Sequence, residues 1–269
     1  MREIGCDESG YEGAKLVGGE TDVFAHAGTG MGVDAAAALV AELRSRIRSP
    51  AQEYKANHLL RPKHRAVLQW LLGPASPMYG TAHVHLIDKT WFLLRHLGLG
   101  PAARHRVDLL VAANDLLRAR PGSADSVHRS VDAWASDEAR AVLSVLRPGS
   151  APPDLLEPAI LRAVDIWGTG GVSIVHDRQI TLTDARIAAL LDRAPRLTGI
   201  RLVESRMDPR IQVADFLAGV ARRIASDELA GRGDAELVAL LRPYVDPAST
   251  WGDDRSRATL ISRPRRRAV

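Results

Sequence analysis

Residues 199–219 read GIRLVESRMDPRIQVADFLAG. Ile200, Leu202 and Val203 make a short apolar strand. From Ile211 the period changes: Ile211, Ala214, Phe216, Leu217 and Val220 recur at helical spacing. A polar hinge, Glu204 to Arg210, joins the two. Asp215 lies inside the apolar run, one turn after Ile211, with Gln212 three residues earlier on the same face. An ionised carboxylate there must meet water, a cation, a metal or a donor, because burying it unpaired is too costly. The fold therefore includes a strand leading into an apolar helix that presents an acid.

Working outward, a second acidic point stands at the far end of the chain. Arg2 to Asp7 reads as a strand that turns at Cys6-Asp7-Glu8-Ser9-Gly10. Val23 to Ala27 reads as a second strand, paired with the first in a hairpin-like way. Ala82 to Ile87 alternates as a third, ending at Asp88-Lys89, and Val172 to Val175 is a fourth, ending at His176-Asp177-Arg178-Gln179. Helices are expected over Ala35–Arg48, Pro62–Leu72, Trp91–Leu97, Leu155–Ile166, Thr183–Arg193 and Asp234–Leu241, with an inserted helical section at about 101–153. The alternation of strands and helices predicts an α/β layered domain over 1–245. A basic, Pro- and Arg-rich C-terminal tail follows at 246–269; it reads as a solvated end or a nucleic-acid contact.

DESG at Asp7–Gly10 and QVAD at Gln212–Asp215 resemble the two ends of the DUF3800 family pattern. EYK at Glu53–Lys55, IDK at Ile87–Lys89 and HDRQ at His176–Gln179 fit it between them, so the resemblance spans roughly Ile4 to Ile224. It implies an RNase H-like mixed sheet flanked by helices, and a metal-dependent nuclease activity.

The chain has 269 residues, 46% hydrophobic and 25% charged, with a formal net charge of +4. That size suits one large domain with an insertion, and the charge is mildly favourable to a polyanion. The one cysteine, Cys6, permits no intrachain disulfide and suits a reducing compartment. No charged start followed by an apolar run opens the chain, and no run of ~18 apolar residues occurs, so the expectation is a cytoplasmic protein without a membrane partner. Gly28 to Gly32 lacks the full G-x-G-x-x-G spacing and reads as a turn. No Walker loop, G-x-S-x-G elbow or H-E-x-x-H appears, which argues against a P-loop NTPase, a serine hydrolase of that type and a zinc protease.

Sites in α/β sheets gather beyond the carboxyl ends of strands. Asp7, Asp88 and Asp177 fall at such ends, Asp215 lies on a helix able to face them, and Glu53 joins from an extended segment. Converging carboxylates repel unless cations hold them, and Mg²⁺ prefers oxygen ligands. The RNase H-like order implied by the resemblance is an acid on the first strand, others on neighbouring strands and one on a late helix. The expected catalytic and metal-binding set is therefore Asp7, Glu53, Asp177 and Asp215, with Mg²⁺ or Mn²⁺ as cofactor and Asp88 as the replacement for Glu53. Glu8, Ser9, Lys55, Lys89 and Gln212 are expected to support it by holding phosphates or orienting carboxylates.

Each residue also has a structural alternative. Asp7 can accept bonds from its own turn. Asp215 can pair with Arg178 or Arg222, and Glu53 with Lys55. Asp177 can be a turn residue, and Asp88 can cap the helix at Trp91. The functional expectation is a metal-dependent phosphodiester hydrolase, a nuclease acting on DNA or RNA. The alternatives are a non-catalytic nucleic-acid-binding module and a protein-interaction module, the latter as a homodimer.

Overall fold

The computed structural model describes residues 1–48, 54–120, 127, 129, 146, 153–168 and 170–261. The first strand, β1 (Arg2–Ser9), alternates between two buried faces and runs through the DES of the acidic turn. It is followed by β2 (Val23–Thr29), α1 (Val33–Ile47), α2 (Ala56–Leu59), α3 (Arg65–Leu72), β3 (Ala82–Asp88), α4 (Lys89–His96) and α5 (Val107–Leu117). Then come α6 (Leu156–Trp167), β4 (Val172–Asp177), α7 (Asp184–Arg193), β5 (Leu197–Val203), α8 (Pro209–Leu229), α9 (Ala235–Leu241) and α10 (Asp254–Leu260). The expected α/β class is what the structure shows, a mixed sheet flanked by helices. Of the inserted helical section, residues 101–120 are described, with α5 at their centre; most of 121–152 lies outside the described residues.

The five strands lie in the order β3-β2-β1-β4-β5. β1 pairs antiparallel with β2, with Asp7 opposite Ala27 and Ser9 opposite Ala25. On its other side β1 runs parallel to β4, with Cys6 beside His176. β2 and β3 are antiparallel, and β4 and β5 are parallel across the α7 crossover. This pattern puts the carboxyl ends of β1, β3, β4 and β5 at one end of the sheet.

Two cores follow from the alternation of each strand. Ala25 and Ala27 of β2 and Val84 and Leu86 of β3 face one layer with α1, α3, α8 and α9. Ile4, Cys6, Phe24, Ile87 and Ile174 face the other, with α4, α5, α6 and α7. Asp208 starts α8: its carboxylate accepts from Arg210 N at 3.0 Å, and Pro209 takes the first helical position.

Gly5 lets α8 lie directly on β1, and Gly219 lets α2 approach α8 beside it. A Cβ at Gly5 would stand 2.6 Å from Arg210 Cβ, and one at Gly219 would stand 2.3 Å from Ala56 Cβ and 3.9 Å from Ser9 Oγ. From Gly5 to Ser9 the strand advances about 13 Å; from Arg210 to Gly219 the helix advances about 13 Å. Helix and strand thus run side by side in step, and Asp215 comes level with the stretch around Asp7.

The chain beyond 245 differs from the expected tail. Residues 245–250 lie along the outer edge of β3, with Asp246 N donating to Val84 O at 2.9 Å, Thr250 N to Leu86 O at 2.8 Å and Asp88 N to Thr250 O at 2.9 Å. Trp251 and Leu260 are buried in the first core. Asp246 is buried and accepts from Arg162 Nε at 2.7 Å, Arg162 Nη2 at 2.8 Å and His85 Nδ1 at 2.8 Å. The domain therefore continues to 261. Backbone pairing of this kind carries no hydrophobic period, so composition alone made the segment look like a solvated end. Residues 262–269, which hold the four terminal arginines, lie outside the described residues.

Candidate active site: an acidic cluster between strand and helix

Parallel register determines which carboxylates share a face. Cys6 pairs with His176, so the next residues, Asp7 and Asp177, stand on adjacent strand ends and point to the α8 side. Asp215 reaches the same space from α8. Asp7 is 5% exposed, and its Oδ1 accepts from Glu8 N at 2.8 Å. Burial, and then the charges of Glu8, Asp215 and Asp177, push its carboxyl well above the usual carboxylate range. The carboxylates of the cluster thus act on one another through space. Lys55 Nζ lies 3.7 Å from Asp215 Oδ2, but it is nearly half exposed, and a pair of that kind contributes little.

Glu8, one residue on, points to the opposite face. Its Oε1 accepts from Gln179 Nε2, and its Oε2 lies 3.6 Å from His176 Nε2, beyond hydrogen-bond reach. His176 Nδ1–H donates to the Asp177 carbonyl at 2.9 Å. That tautomer, assigned from the network, leaves Nε2 to accept from His26 Nε2–H at 3.2 Å. Burial, and then the neighbouring imidazoles of His176, His83 and His85, push His26 well below its ordinary value, so the ring is neutral. Gln179 and His176 therefore fix the backbone and side chain on either side of Asp177 and Asp7 from behind the sheet. Glu8 belongs to this rear support rather than to the carboxylates on the α8 face.

The other expected residues divide. Ser9 Oγ accepts from Arg222 Nε at 3.0 Å and sits beside Gly219. Gln212 Nε2 donates to Ser205 O at 3.2 Å, while its buried Oε1 has no hydrogen-bond donor. Lys89 is fully buried; its Nζ donates to Glu12 Oε1 at 2.9 Å, Thr21 O at 3.0 Å and Thr21 Oγ1 at 2.8 Å. It ties down the 12–21 loop and does not face a substrate, because the alternation that exposes a strand end breaks where α4 begins. Asp88 takes the structural alternative: its Oδ1 caps α4 by accepting from Trp91 N at 3.1 Å, and its Oδ2 accepts from Arg104 Nη1 at 2.6 Å. It is no replacement for Glu53, which itself lies outside the described residues.

Among the described residues, no three His, Cys, Asp or Glu side chains are grouped so as to hold a metal ion. The chemistry of the donor set still suits a hard cation. It offers carboxylate oxygens of Asp7, Asp177 and Asp215, mutual repulsion at Asp7 that a cation relieves, and the orphaned oxygen Gln212 Oε1 one turn from Asp215. Sequence reasoning named Arg222 only as a structural partner of Asp215, whereas it holds Ser9. Its signal was present, since it stands seven residues after Asp215 and so on the same face of the helix. His26 and Gln179 gave no comparable signal, since pairing across strands is invisible in one sequence.

No family model, curated protein or solved structure matches this chain. Among the described residues no helix is long and apolar enough to cross a membrane.

Proposed function

We propose that the protein is a Mg²⁺- or Mn²⁺-dependent phosphodiester hydrolase, a nuclease acting on DNA or RNA. The observation that carries this reading is that Asp177 and Asp215, from a parallel strand end and from α8, act through space on Asp7, whose carboxyl is pushed well above the usual range by burial and then by the charges of Glu8, Asp215 and Asp177. The family resemblance of the DESG and QVAD segments points the same way. Asp7, Asp177 and Asp215 would hold the ion, with Gln212 Oε1 as a further oxygen. When bound, such an ion lowers the pKa of a water and offsets charge on the phosphoryl oxygens. The chain's own residues do the rest. Asp7 and Asp177, fixed by the strands, orient the site. Asp215 closes it from α8, and Lys55 beside Asp215 offers a positive charge to an approaching phosphate.

A cytoplasmic location goes with this reading, supported by a single buried thiol. Burial, with Asp7 and Glu8 beside it, pushes the Cys6 thiol far above its ordinary value and leaves it inert.

Cleavage of labelled single-stranded and duplex DNA and RNA, with Mn²⁺ or with EDTA, tests the proposal. Metal-dependent cutting by the wild type that disappears in Asp7→Asn with Asp215→Asn is the expected result. A second reading, a nucleic-acid-binding module without catalysis, is favoured by the formal net charge of +4. It predicts oligonucleotide binding that is indifferent to metal and survives Asp7→Asn, with no cutting.

A further inference from the structure

A cavity of about 370 Å³ lies between the 16–22 loop and the second half of α8. Arg222, Arg223 and Arg232 line it, together with the carboxylates Glu20, Asp22 and Asp227. The loop is held in place from two sides. Asn114 Oδ1 accepts from Leu16 N at 2.9 Å and Val17 N at 3.3 Å, and Asn114 Nδ2 donates to Ala14 O at 2.9 Å. Glu12 accepts from Glu20 N at 3.1 Å and Thr21 N at 3.0 Å, and from the buried Lys89. Gly19 is required there: a Cβ would stand 2.1 Å from Glu12 Oε2.

The three arginines are not equivalent. Arg223 and Arg232 both pair with Asp227, at 2.7 and 3.2 Å. Arg222 is half-buried, with its stem against Gly10, and its Nε donates to Ser9 Oγ. It makes no ion pair among the described residues. The carboxylates that act on it through space are Asp22, Glu12 and Asp227, against the like charge of Arg223; Glu12 is paired with Lys89 and Asp227 with Arg223 and Arg232, while Asp22 accepts from the neutral Ser226 hydroxyl. Burial pushes the Arg222 guanidinium below its ordinary value, which is what a desolvated cation without a direct counter-charge undergoes. A planar guanidinium in that condition, at the wall of a preformed cavity, suits a phosphate.

We propose that this cavity is a phosphate-binding subsite centred on Arg222. It takes a phosphate of the substrate chain next to the one cleaved at Asp7, Asp177 and Asp215. The link to the cluster is covalent and short: Ser9, which Arg222 holds, lies two residues after Asp7 on β1. This subsite deepens the nuclease reading and rests on it for the identity of the ligand, but the anion site itself has a separate readout.

The test is a titration of the full chain with inorganic pyrophosphate, without divalent cation and at constant ionic strength, followed by calorimetry and thermal shift. The wild type should bind and be stabilised, and Arg222→Gln should bind at least about tenfold more weakly. Arg222→Lys keeps a charge but loses the fork and should bind several-fold more weakly. It carries the test if Arg222→Gln does not fold. Wild-type affinity in both variants, or no response of the wild type to pyrophosphate, overturns the subsite. A wild type that binds pyrophosphate through Arg222 and cuts nothing sinks the nuclease reading alone. Undiminished metal-dependent cutting in Arg222→Gln sinks the subsite alone.

Discussion

Asp7 and Glu12 respond to protons in opposite senses. Asp7 has its proton affinity raised in the folded state by burial and by Glu8, Asp215 and Asp177. Between the ordinary carboxylate pKa and its own folded value, the folded chain holds more protons than the unfolded one, so this group's contribution to stability declines as pH rises. Asp7→Asn keeps the oxygen that accepts from Glu8 N and removes the charge. In EDTA at pH 7 it should raise Tm by about 2–4 °C, and the gain should vanish in acid; a lower Tm for the variant at neutral pH would contradict the crowding of the cluster. Glu12 is the reverse case. Burial alone would raise its carboxyl, but bonds from Thr21, Lys89 and Glu20 N outweigh that and lower it to about 2. Its stabilisation is complete above the ordinary value of 4.5 and is lost as pH falls from there toward about 2. Glu12→Gln should therefore cost up to about 3 kcal/mol at pH 7 and flatten the acid limb of the stability curve, measured by urea unfolding at a series of pH values.

Among the elements, the placement of α8 along β1 is what assembles the site, and Gly5 permits it. Gly5→Ala should destabilise by about 1–3 kcal/mol and lower any metal-dependent activity although no acid is touched; unaltered urea midpoint and activity would show that the helix can shift freely. Much of this level was legible in the sequence. The strand 200–203 and the helix carrying Asp215 were marked by the change of period, and the acids of β1 and β4 by their positions at strand ends. The register that sets Asp7 beside Asp177 was not legible, since it depends on residues 170 positions apart meeting across a ladder. Nor was the role of Lys89: a lysine at a strand end looks solvent-facing until the loop that wraps it, 12–21, is placed. Asp88 was read as a second choice for the site, and Arg104, sixteen residues later, is what claims it.

For the whole molecule, the packed domain runs past 245, through the last described residue, 261. Deleting residues 246–261 should remove the Asp246 partner of Arg162 and His85, uncover Val84 and Leu86 at the β3 edge, and leave the chain aggregating or unfolded. Circular dichroism with light scattering would show this, and a deletion that behaves like wild type would restore the solvated tail. The closure of β3 also has a bearing on how copies of the chain can meet. With one rim of the sheet strapped by 245–250, β5 is, among the described residues, the rim where a second copy could extend the ladder. Its middle carries Arg201, 58% exposed and 3.9 Å from Glu3. Two copies laid antiparallel about that point would bring their Arg201 side chains together, and a charged residue in the middle of an edge strand discourages such pairing.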